Sequence, residues 1–492
     1  MEILRTPALI APYLSDTSGL HDAHCAVVYR PERIEEIETV LAEARRLGVT
    51  VTVAGAHTAT TGAALPYGGI LLTTDRLDRI GPIVPTATGA QVAVEAGVRL
   101  ATLQAAAAAA HTLYPPDPGE AKATLGGNLS THAAGKHGFH YGPSRNWVTA
   151  LTVILAEGDR LELTRGECVA GADAILHLTT ISGRRIDVPL PTTLPPPVKH
   201  AAGYLGGKGR DAVDLFIGAE GTLGVIAAAT LRLAPAPEQT LAGLLFFPNE
   251  ERCWQAVVAI RDRSRAATLP IAERWGTTIL EYLDPAAVDL LRSDLPALPA
   301  ATAALMVEQP TTEAANAARL ADWQRVTAEL GGVAKAHLWA RTTAEKAALA
   351  AMRYRIPTAM NATLARTGLR KVSCDMAVPD DRLLTYLHGA RARLAAGGVR
   401  AVGFGHIGDN HIHYNLLPED AAELARARAI YDDLVELALA LGGTVSAEHG
   451  IGKLKRRYLA RMVGEQGIAE MRRTRRTLDP AGLLCPGNLF EA

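Results

Sequence analysis

Cysteine and long apolar runs are scarce in this chain of 492 residues. Its five cysteines are scattered and form no CxxC pair. That pattern argues against a disulfide framework or a zinc-thiolate site, and against an iron–sulfur cluster carried by this chain. No apolar run approaches the roughly 18 residues that a membrane-spanning helix needs. The N-terminus also lacks the basic and apolar regions of a signal peptide. We therefore expect a cytoplasmic protein in a reducing compartment.

Neither sign of charge is in excess. Lys and Arg number 50 against 51 Asp and Glu, for a net charge of -1. The whole chain thus has no electrostatic footprint for nucleic acid, which we do not expect as a partner. Basic residues do crowd the segment Lys453–Arg476. They are either solvated helix faces or a surface for anionic lipid or a redox partner, so peripheral membrane contact is left open, as is a homodimer.

The composition is that of a large globular protein. Hydrophobic residues make up 48%, which excludes disorder of the whole chain, and the length predicts about two to four domains. Glycine and proline cluster between Ala54 and Pro237, and we predict alternating strands and helices there. The strands are Val49–Val53, Ile70–Thr73, Gln91–Val94, Val148–Leu155 and Gly224–Leu233, and the helices include Glu32–Leu47 and Leu100–His111.

The pattern changes beyond the proline-rich segment Ala234–Glu238. Apolar residues recur there at helical spacing, with short strands between the helices. The predicted helices are Asn249–Ala266, Thr311–Leu330, Arg382–Ala396 and Ala421–Leu441, and a strand is predicted at Val372–Val378. Gly442 and Gly443 end the last helix. This half predicts an antiparallel sheet covered by helices, and the whole chain an α+β fold.

Three glycine-rich turns occur in order along the first half. They are Val53–Gly62 (VAGAHTATTG), Thr124–Asn128 (TLGGN) and Ile217–Ile226 (IGAEGTLGVI). Glycine lets the backbone approach a ligand, and successive N–H groups can hold a diphosphate. A single such turn is more often only a tight turn. No GxGxxG follows a strand, which disfavours a Rossmann nicotinamide site.

Taken together, these turns resemble the vanillyl-alcohol oxidase / p-cresol methylhydroxylase superfamily of FAD enzymes. The resemblance covers most of the chain and includes Ala54–Pro66 (AGAHTATTGAALP), Tyr114–Pro118 (YPPDP) and Asp214–Ile226 (DLFIGAEGTLGVI). It implies a two-subdomain PCMH-type FAD-binding domain at residues 1–237 and a substrate or cap domain at 238–440. It also implies that the C-terminal segment 441–492 packs back toward the FAD domain.

The same resemblance implies which residues bind FAD. They are Gly55, Ala56, His57, Thr58, Gly62, Pro116, Gly126, Gly127, Asn128, Tyr141, Glu220, Gly221 and Ile226. His57 departs from the Gly or Arg usual in the closest relatives. It is a loop residue or a phosphate donor, or it carries a covalent flavin bond as in some distant members.

A group of histidines marks the second half. The stretch Gly403–Leu417 (GFGHIGDNHIHYNLL) contains His406, His411 and His413, and Glu448 and His449 follow downstream. His411 and His413 share a face of a strand, and the Gly-Asp-Asn turn can bring His406 round to them. Imidazoles with one carboxylate predict a Zn²⁺ or Mn²⁺ site with an open coordination position.

This stretch is similar to the GH-x-GDGN-x-H-x-N motif of the FAD-linked D-2-hydroxy-acid dehydrogenases. That group includes D-lactate and D-2-hydroxyglutarate dehydrogenases and the flavin subunit of glycolate oxidase. The similarity implies that His406, His413 and Glu448 hold the metal. It also implies that His449 is the general base and that Asn415 contacts the substrate. Asn410 and His411 replace the usual Gly and Asn, so His411 is either a fourth ligand or a polar wall.

A carboxylate substrate also needs a cation. Arg353 matches the Arg of the family's LRE segment, and its planar fork suits a carboxylate. The alternative is an Arg on a helix surface paired with an acid. Ser373 stands where several relatives have Lys, and Lys199 is expected near the flavin or the substrate entrance.

The predicted function is oxidation of a small D-2-hydroxy acid to a 2-oxo acid. In this reaction, a metal ion assists deprotonation of the substrate hydroxyl, and the hydride passes to flavin N5. The electron acceptor, whether quinone, electron-transfer protein or oxygen, is left open. The alternatives are a transferase resembling alkylglycerone-phosphate synthase and the flavin subunit of a glycolate-oxidase-like complex.

Overall fold

A computed structural model describes residues 1–266, 275–295, 298–300 and 302–491. The first half contains the strands β1 (Glu2–Leu4), β2 (Val27–Arg30), β3 (Val51–Ala54), β4 (Ile70–Thr73), β5 (Val84–Thr86), β6 (Gly89–Glu95), β7 (Thr112–Leu113), β8 (Val148–Ile154), β9 (Arg160–Thr164), β10 (Ile175–Thr179), β11 (Arg185–Pro189) and β12 (Val225–Pro235). Its helices are α1 (Pro7–Ile10), α2 (Ile34–Leu47), α3 (Leu100–Ala109), α4 (Leu125–Thr131), α5 (Gly138–Tyr141) and α6 (Ala212–Phe216).

The second half continues both series. Its strands are β13 (Gln239–Phe247), β14 (Ile279–Leu283), β15 (Ala303–Thr311), β16 (Leu338–Ala340), β17 (Val372–Ser373), β18 (Ala401–Gly405) and β19 (His413–Leu416). Its helices are α7 (Glu250–Arg265), α8 (Pro285–Asp289), α9 (Glu313–Glu329), α10 (Thr343–Ala365), α11 (Leu383–Gly397), α12 (Ala421–Ala440) and α13 (Arg456–Leu478).

The first half is built on two larger sheets. One has the order β1-β2-β4-β3, in which β4 lies parallel to both β2 and β3. The other has the order β5-β6-β12-β8-β9, with antiparallel pairs and β7 added beside β12. A parallel βαβ unit beside an antiparallel sheet is the two-subdomain arrangement expected for this half.

Helix α2 shows how a local sequence pattern produces an element of the first half. Apolar residues at helical spacing are buried against the parallel sheet, namely Ile37, Val40, Leu41 and Ala44. Acidic residues occupy its first turn and basic residues its last turn, where each favours the helix dipole. Gly48 ends the helix with a φ of +64°, a conformation that costs glycine little.

The second half is one antiparallel sheet with the order β16-β13-β15-β14-β18-β19-β17. Helices α7, α9 and α10 contact its strands, and α12 packs on α11. The chain passes from the first-half sheets to this one between Pro235 and Gln239. The predicted α+β fold, with an antiparallel sheet covered by helices, is confirmed.

One predicted strand is much shorter than expected. The ladder of β17 covers only Val372 and Ser373, where Val372–Val378 was expected. Beyond it, the amide of Asp375 contacts the sulfur of Met376 rather than a neighbouring strand, and pairing resumes only as isolated bridges at Ala377. The interruption frees the Asp375 side chain to meet the loop that follows α12.

The C-terminal residues run beside the first sheet. Val51 of β3 donates to the carbonyl of Leu483 and accepts from the amide of Cys485, at 2.8 and 2.7 Å. These bonds tie the end of the chain to a strand more than 400 residues earlier.

The domain limits at 237 and 440 stay a prediction. Among the described residues, the structure contains no helix that is both long and apolar enough to cross a membrane.

Candidate active site

The glycine-rich turns line a cleft with about 1140 Å³ of empty space. Most of the predicted FAD residues lie in its wall. They are Gly55, Ala56, His57, Thr58, Gly126, Gly127, Asn128, Glu220, Gly221 and Ile226. Its lining also includes Glu448 and His449, the acid–histidine pair of the second half. The tertiary structure thus brings three distant turns and the downstream pair to one cavity.

The other three predicted FAD residues lie outside that lining. Gly62 has a φ of +75°, and its carbonyl accepts from Lys453 Nζ at 3.3 Å. Pro116 is buried. The Tyr141 ring packs edge-on against His140 and Trp147. Their contacts are therefore with the protein around the cleft.

The glycines of these turns are needed for two different reasons. A Cβ on Gly55 would lie 2.1 Å from Thr124 Oγ1, and one on Gly126 would lie 2.6 Å from Ala96 Cβ. Both positions are closed by the protein itself. A Cβ on Gly127 would approach only Thr124 Oγ1, at 3.1 Å. Of these three glycines, only Gly127 therefore has open space on its cleft side.

Several polar groups in the cleft have no partner within the described protein. Both ring nitrogens of His57 and the hydroxyl oxygen of Thr124 are buried without a hydrogen bond there. Unsatisfied buried polar atoms are costly, so a ligand with acceptor oxygens is expected to engage them. Burial lowers the pKa of His57. A neutral imidazole can donate one hydrogen bond, and the cleft therefore fits a diphosphate-containing cofactor such as FAD.

Glu220 has a structural task in addition to its place in the cleft wall. Its carboxylate accepts from the amides of Ile451 and Gly452 at 2.6 and 2.7 Å. Burial raises the pKa of Glu220 to about 7, although the two amide bonds act to lower it. Glu220 thereby anchors the loop that carries Glu448 and His449 to the wall of the cleft.

The histidine group lies beside the cleft. His406, His411, His413 and Glu448 each offer a ligand atom within 4.8 Å of the others. A 3-10 turn at Ile407–Asp409 follows His406, and Asn410 has a φ of +57°. That turn reverses the chain so that β18 and β19 pair, and it carries His406 to the side of His413. We call these four residues the histidine cluster.

Neighbouring acceptors orient two of the cluster's rings. His406 Nδ1 bonds to Glu281, and His413 Nδ1 lies 3.1 Å from the carbonyl oxygen of Cys374. Each ring is thus oriented through Nδ1, and the Nε2 of His406 faces Glu448, another member of the cluster. Imidazoles that bind metals in proteins are usually held in this way through the second nitrogen. The donor set and its supports therefore fit a divalent cation.

Charged groups compensate one another within the cluster. Lys199 Nζ lies 2.5 Å from Glu448 Oε1, and His406 Nε2 lies 3.2 Å from Glu448 Oε2. Burial opposes charge on His406, but Glu281 and Glu448 raise its pKa to about 9. Burial likewise opposes charge on Glu448, whose pKa is nevertheless held well below its usual range by His406 and Lys199. Lys199 also lines a second cavity with Asp409.

A single carboxylate, Asp375, organises the loop beside the cluster. It accepts from Lys455 Nζ at 2.6 Å and from Ser446 Oγ at 2.7 Å. The amides of Glu448 and His449 donate to it at 3.2 and 3.1 Å. The group has no exposed surface. Asp375 thus fixes the backbone that presents Glu448 and His449.

His449 joins the cleft to the histidine cluster. Its ring stacks on His413 with 5.2 Å between centroids, and Nδ1 lies 3.5 Å from Asp375 Oδ2. Burial lowers its pKa to about 4, although Asp375 acts in the opposite direction. The imidazole is therefore neutral at neutral pH and able to accept a proton.

Arg353 and Asn415 both bond to protein groups. Arg353 on α10 donates from Nε to Glu281 Oε2 at 2.5 Å. Within the described residues its terminal nitrogens have no acceptor of the protein, so they are free for a ligand. The buried amide of Asn415 accepts from Ser373 Oγ and donates to the carbonyls of Val402 and His413. Asn415 therefore holds the start of β19 in place.

Two acids of the site were missed as functional residues by sequence reasoning. Glu281 bonds to both His406 and Arg353, and Asp375 bonds to the loop of His449. Glu281 is the only charged residue of the otherwise apolar buried strand β14, ILEYL. That isolated charge was an available signal, because a buried carboxylate needs a partner.

Comparison with known families divides the chain in two. Residues 25–164 match a family described as FAD binding domain. Residues 236–489 match a family described as FAD linked oxidases, C-terminal domain. The two matches contain the cleft-forming turns at Gly55 and Gly126 and all four residues of the histidine cluster.

Named relatives match nearly the whole chain. A D-2-hydroxyglutarate dehydrogenase of Xanthomonas citri is 29% identical, over 99% of this chain and 93% of its own. A probable mitochondrial D-lactate dehydrogenase of Danio rerio is 29% identical, over 94% and 84%. The glycolate oxidase subunit GlcD of Bacillus subtilis is 27% identical, over 97% and 92%.

A solved structure shares the fold. An alkyldihydroxyacetonephosphate synthase matches with a TM-score of 0.64 and 15% sequence identity, over 94% of this chain and 77% of that chain. At that identity the likeness concerns the architecture alone.

Proposed function

The chain belongs to the FAD-linked oxidase family, and on that premise we propose that it oxidises a D-2-hydroxy acid to the 2-oxo acid. One observation carries the proposal. Glu448 and His449 line the cofactor cleft, while Glu448 also belongs to the histidine cluster and His449 stacks on His413. A substrate between cleft and cluster would meet a proton acceptor, a cation site and a flavin together.

FAD supplies the hydride acceptor when it is bound in the cleft. His449 takes the proton of the substrate hydroxyl, since its imidazole is neutral and lies at the cleft wall. The amide of His449 donates to Asp375, which holds the His449 backbone in place. Loss of that proton and of the hydride at Cα leaves the 2-oxo acid.

A divalent ion at the histidine cluster would add Lewis acidity that lowers the pKa of the hydroxyl. His406, His413 and Glu448 are the residues we propose to hold it. Glu281 and the Cys374 carbonyl orient the two imidazoles. Lys199 neutralises part of the charge of Glu448.

Arg353 is the residue we propose for the substrate carboxylate. Its Nε donates to Glu281, which fixes the guanidinium plane. Its terminal nitrogens have no acceptor among the described residues and can bind a carboxylate. A fixed fork of this kind suits a carboxylate. Because Glu281 bonds both Arg353 and His406, it keeps the carboxylate site and the cation site at a constant separation.

The names of the relatives support a small hydroxy acid as the substrate class. We also propose the division into an FAD domain at 1–237, a cap domain at 238–440 and a returning segment at 441–492. The family matches at residues 25–164 and 236–489 and the bonds of Leu483 and Cys485 to β3 support it. The fold likeness to an alkyldihydroxyacetonephosphate synthase does not favour a transferase, because it concerns architecture alone.

The test is a panel of D- and L-2-hydroxy acids, with dye reduction and stopped-flow bleaching of the flavin as readouts. Bleaching by a D-isomer, with the L-isomer inactive, is the expected result. Each reaction is repeated after chelator treatment and after return of Mn²⁺ or Zn²⁺. Protein that contains FAD but is bleached by no hydroxy acid would contradict the proposed function. Full activity after complete metal removal would contradict only the role of the cation.

A further inference from the structure

His411 is a member of the histidine cluster that the motif of the resembling dehydrogenases does not contain. It replaces an Asn of that motif, and its side chain has no exposed surface. Its amide donates to the carbonyl of His406 at 3.2 Å, and its backbone forms an isolated bridge with Ala377. The backbone that carries the ring is therefore held on both sides.

The surroundings of the ring leave both of its nitrogens buried without a hydrogen bond to the described residues. Nε2 lies 3.0 Å from Asp375 Oδ1, an ion-pair contact without hydrogen-bond alignment. Nδ1 has no such charged neighbour among the contacts of the described residues. The ring centroid lies 4.3 Å from that of His413 and 5.5 Å from that of His406. A buried imidazole nitrogen without a partner is costly, and here the rings of two other potential metal ligands lie beside this one.

We propose that His411 is a fourth protein ligand of the cation at the histidine cluster, in a set of three imidazoles and one carboxylate. The inference rests on the cation site of the proposed function. One ring nitrogen of His411 lies within 4.8 Å of the ligand atoms of His406, His413 and Glu448. Asp375 then has the supporting role for His411 that Glu281 has for His406.

A fourth ligand changes which ion the site suits. A zinc ion is usually complete with four protein ligands, and its catalytic sites keep one position open. An ion that prefers six ligands, such as Mn²⁺, keeps two positions open beside four protein donors. A 2-hydroxy acid offers two oxygens, from its hydroxyl and its carboxylate. We therefore infer that Mn²⁺ supports turnover and that Zn²⁺ supports it less well.

The first experiment measures metal binding in the FAD-loaded protein without substrate. Chelator-treated wild type, His411→Asn and the control His337→Asn are titrated with Mn²⁺. The control changes a half-buried histidine that bonds to Phe246 outside the cluster, and bound FAD reports that each variant is folded. Wild type and the control are expected to bind one Mn²⁺, and His411→Asn to bind it at least about tenfold more weakly.

A second measurement on wild type alone removes the dependence on that variant. Pulsed EPR of bound Mn²⁺ counts the imidazole nitrogens on the ion. Three nitrogens are expected, whereas two would overturn the proposal. It would also be overturned by unchanged Mn²⁺ affinity in His411→Asn, or by wild type that binds no ion.

Failure of the ligand proposal and failure of the proposed function give different results. Protein that binds Mn²⁺ through three imidazoles but is not bleached by any hydroxy acid would keep His411 as a ligand and reject the function. Protein that is bleached by a hydroxy acid while the ion has only two imidazoles would keep the function and reject His411.

Discussion

At the scale of single residues, the site depends on carboxylates that each bond to more than one partner. Glu281 links His406 to Arg353, and Asp375 links Lys455 to the His449 loop. Ionised carboxylates are tolerated inside the protein only because each has several donors. The consequence is that the histidines and the arginine are positioned by the same small set of acids.

His449→Gln tests the proposed base. Glutamine keeps a polar side chain but cannot take up a proton, so we expect turnover to fall by about 10²- to 10⁴-fold. FAD content should be unchanged. The measurement is the rate of flavin bleaching at saturating hydroxy acid, with the exposed His388→Gln as the control. A rate within twofold of wild type would contradict the role of His449 as base.

At the scale of elements, the two glycines of the short helix α4 have different surroundings, which the sequence alone does not show. The amides of Leu125 and Gly126 donate to the carbonyls of Val98 and Ala96, at 2.9 and 2.8 Å. Gly126 thus packs against the neighbouring strand end, whereas Gly127 faces the cleft. Both glycines resemble cofactor contacts in the sequence, but only one has open space beside it.

Alanine at each position should separate the two tasks. Gly126→Ala places a methyl group 2.6 Å from Ala96 Cβ, and we expect about 1–3 kcal/mol of lost stability from the overpacking. Gly127→Ala should leave the unfolding temperature of the flavin-free protein unchanged. It should weaken FAD binding about tenfold, which corresponds to about 1.4 kcal/mol. Thermal unfolding and FAD titration measure the two effects, and equal behaviour of the variants would contradict the distinction.

At the scale of the whole molecule, the C-terminal helix connects to the loop that follows β11 in the first half. Glu470 on α13 accepts from the amides of Thr192 and Thr193 at 2.8 and 2.9 Å, and from the Thr192 hydroxyl at 2.7 Å. Burial acts to raise the pKa of Glu470, but these bonds lower it to about 2. The contact therefore stabilises the fold only while Glu470 is ionised.

This connection predicts a pH-dependent effect of Glu470→Gln. The unfolded chain takes up the proton near the usual pKa of 4.5, before the folded chain does at about 2. The stabilisation is therefore complete above about pH 4.5 and is lost as pH falls toward 2. We expect the variant to unfold at a lower temperature than wild type at pH 7, with the difference shrinking below pH 4.5. Glu465→Gln, an exposed acid of the same helix, is the control, and a pH-independent difference would contradict the argument.

The elements that the sequence predicted well are those with a strong local pattern. Ile70–Thr73 was predicted with its observed bounds, and α2, α7 and α12 differ by only one or two residues at an end. Apolar spacing, caps and terminal glycines act within a few residues of each other. The strand at Val372 was overextended because its end depends on Asp375 meeting a loop about 70 residues later.

The sequence by itself determined the α+β architecture, the glycine-rich turns that line the cleft and the histidine-rich stretch, because short motifs carry that information. Only the tertiary structure decided how those motifs meet. It brought His449 to the cleft wall, fixed Arg353 and His406 through Glu281, and left His411 Nδ1 buried beside the other ligands. Such contacts join residues far apart in the chain, and no local pattern of apolar or polar residues encodes the partner of a buried charge.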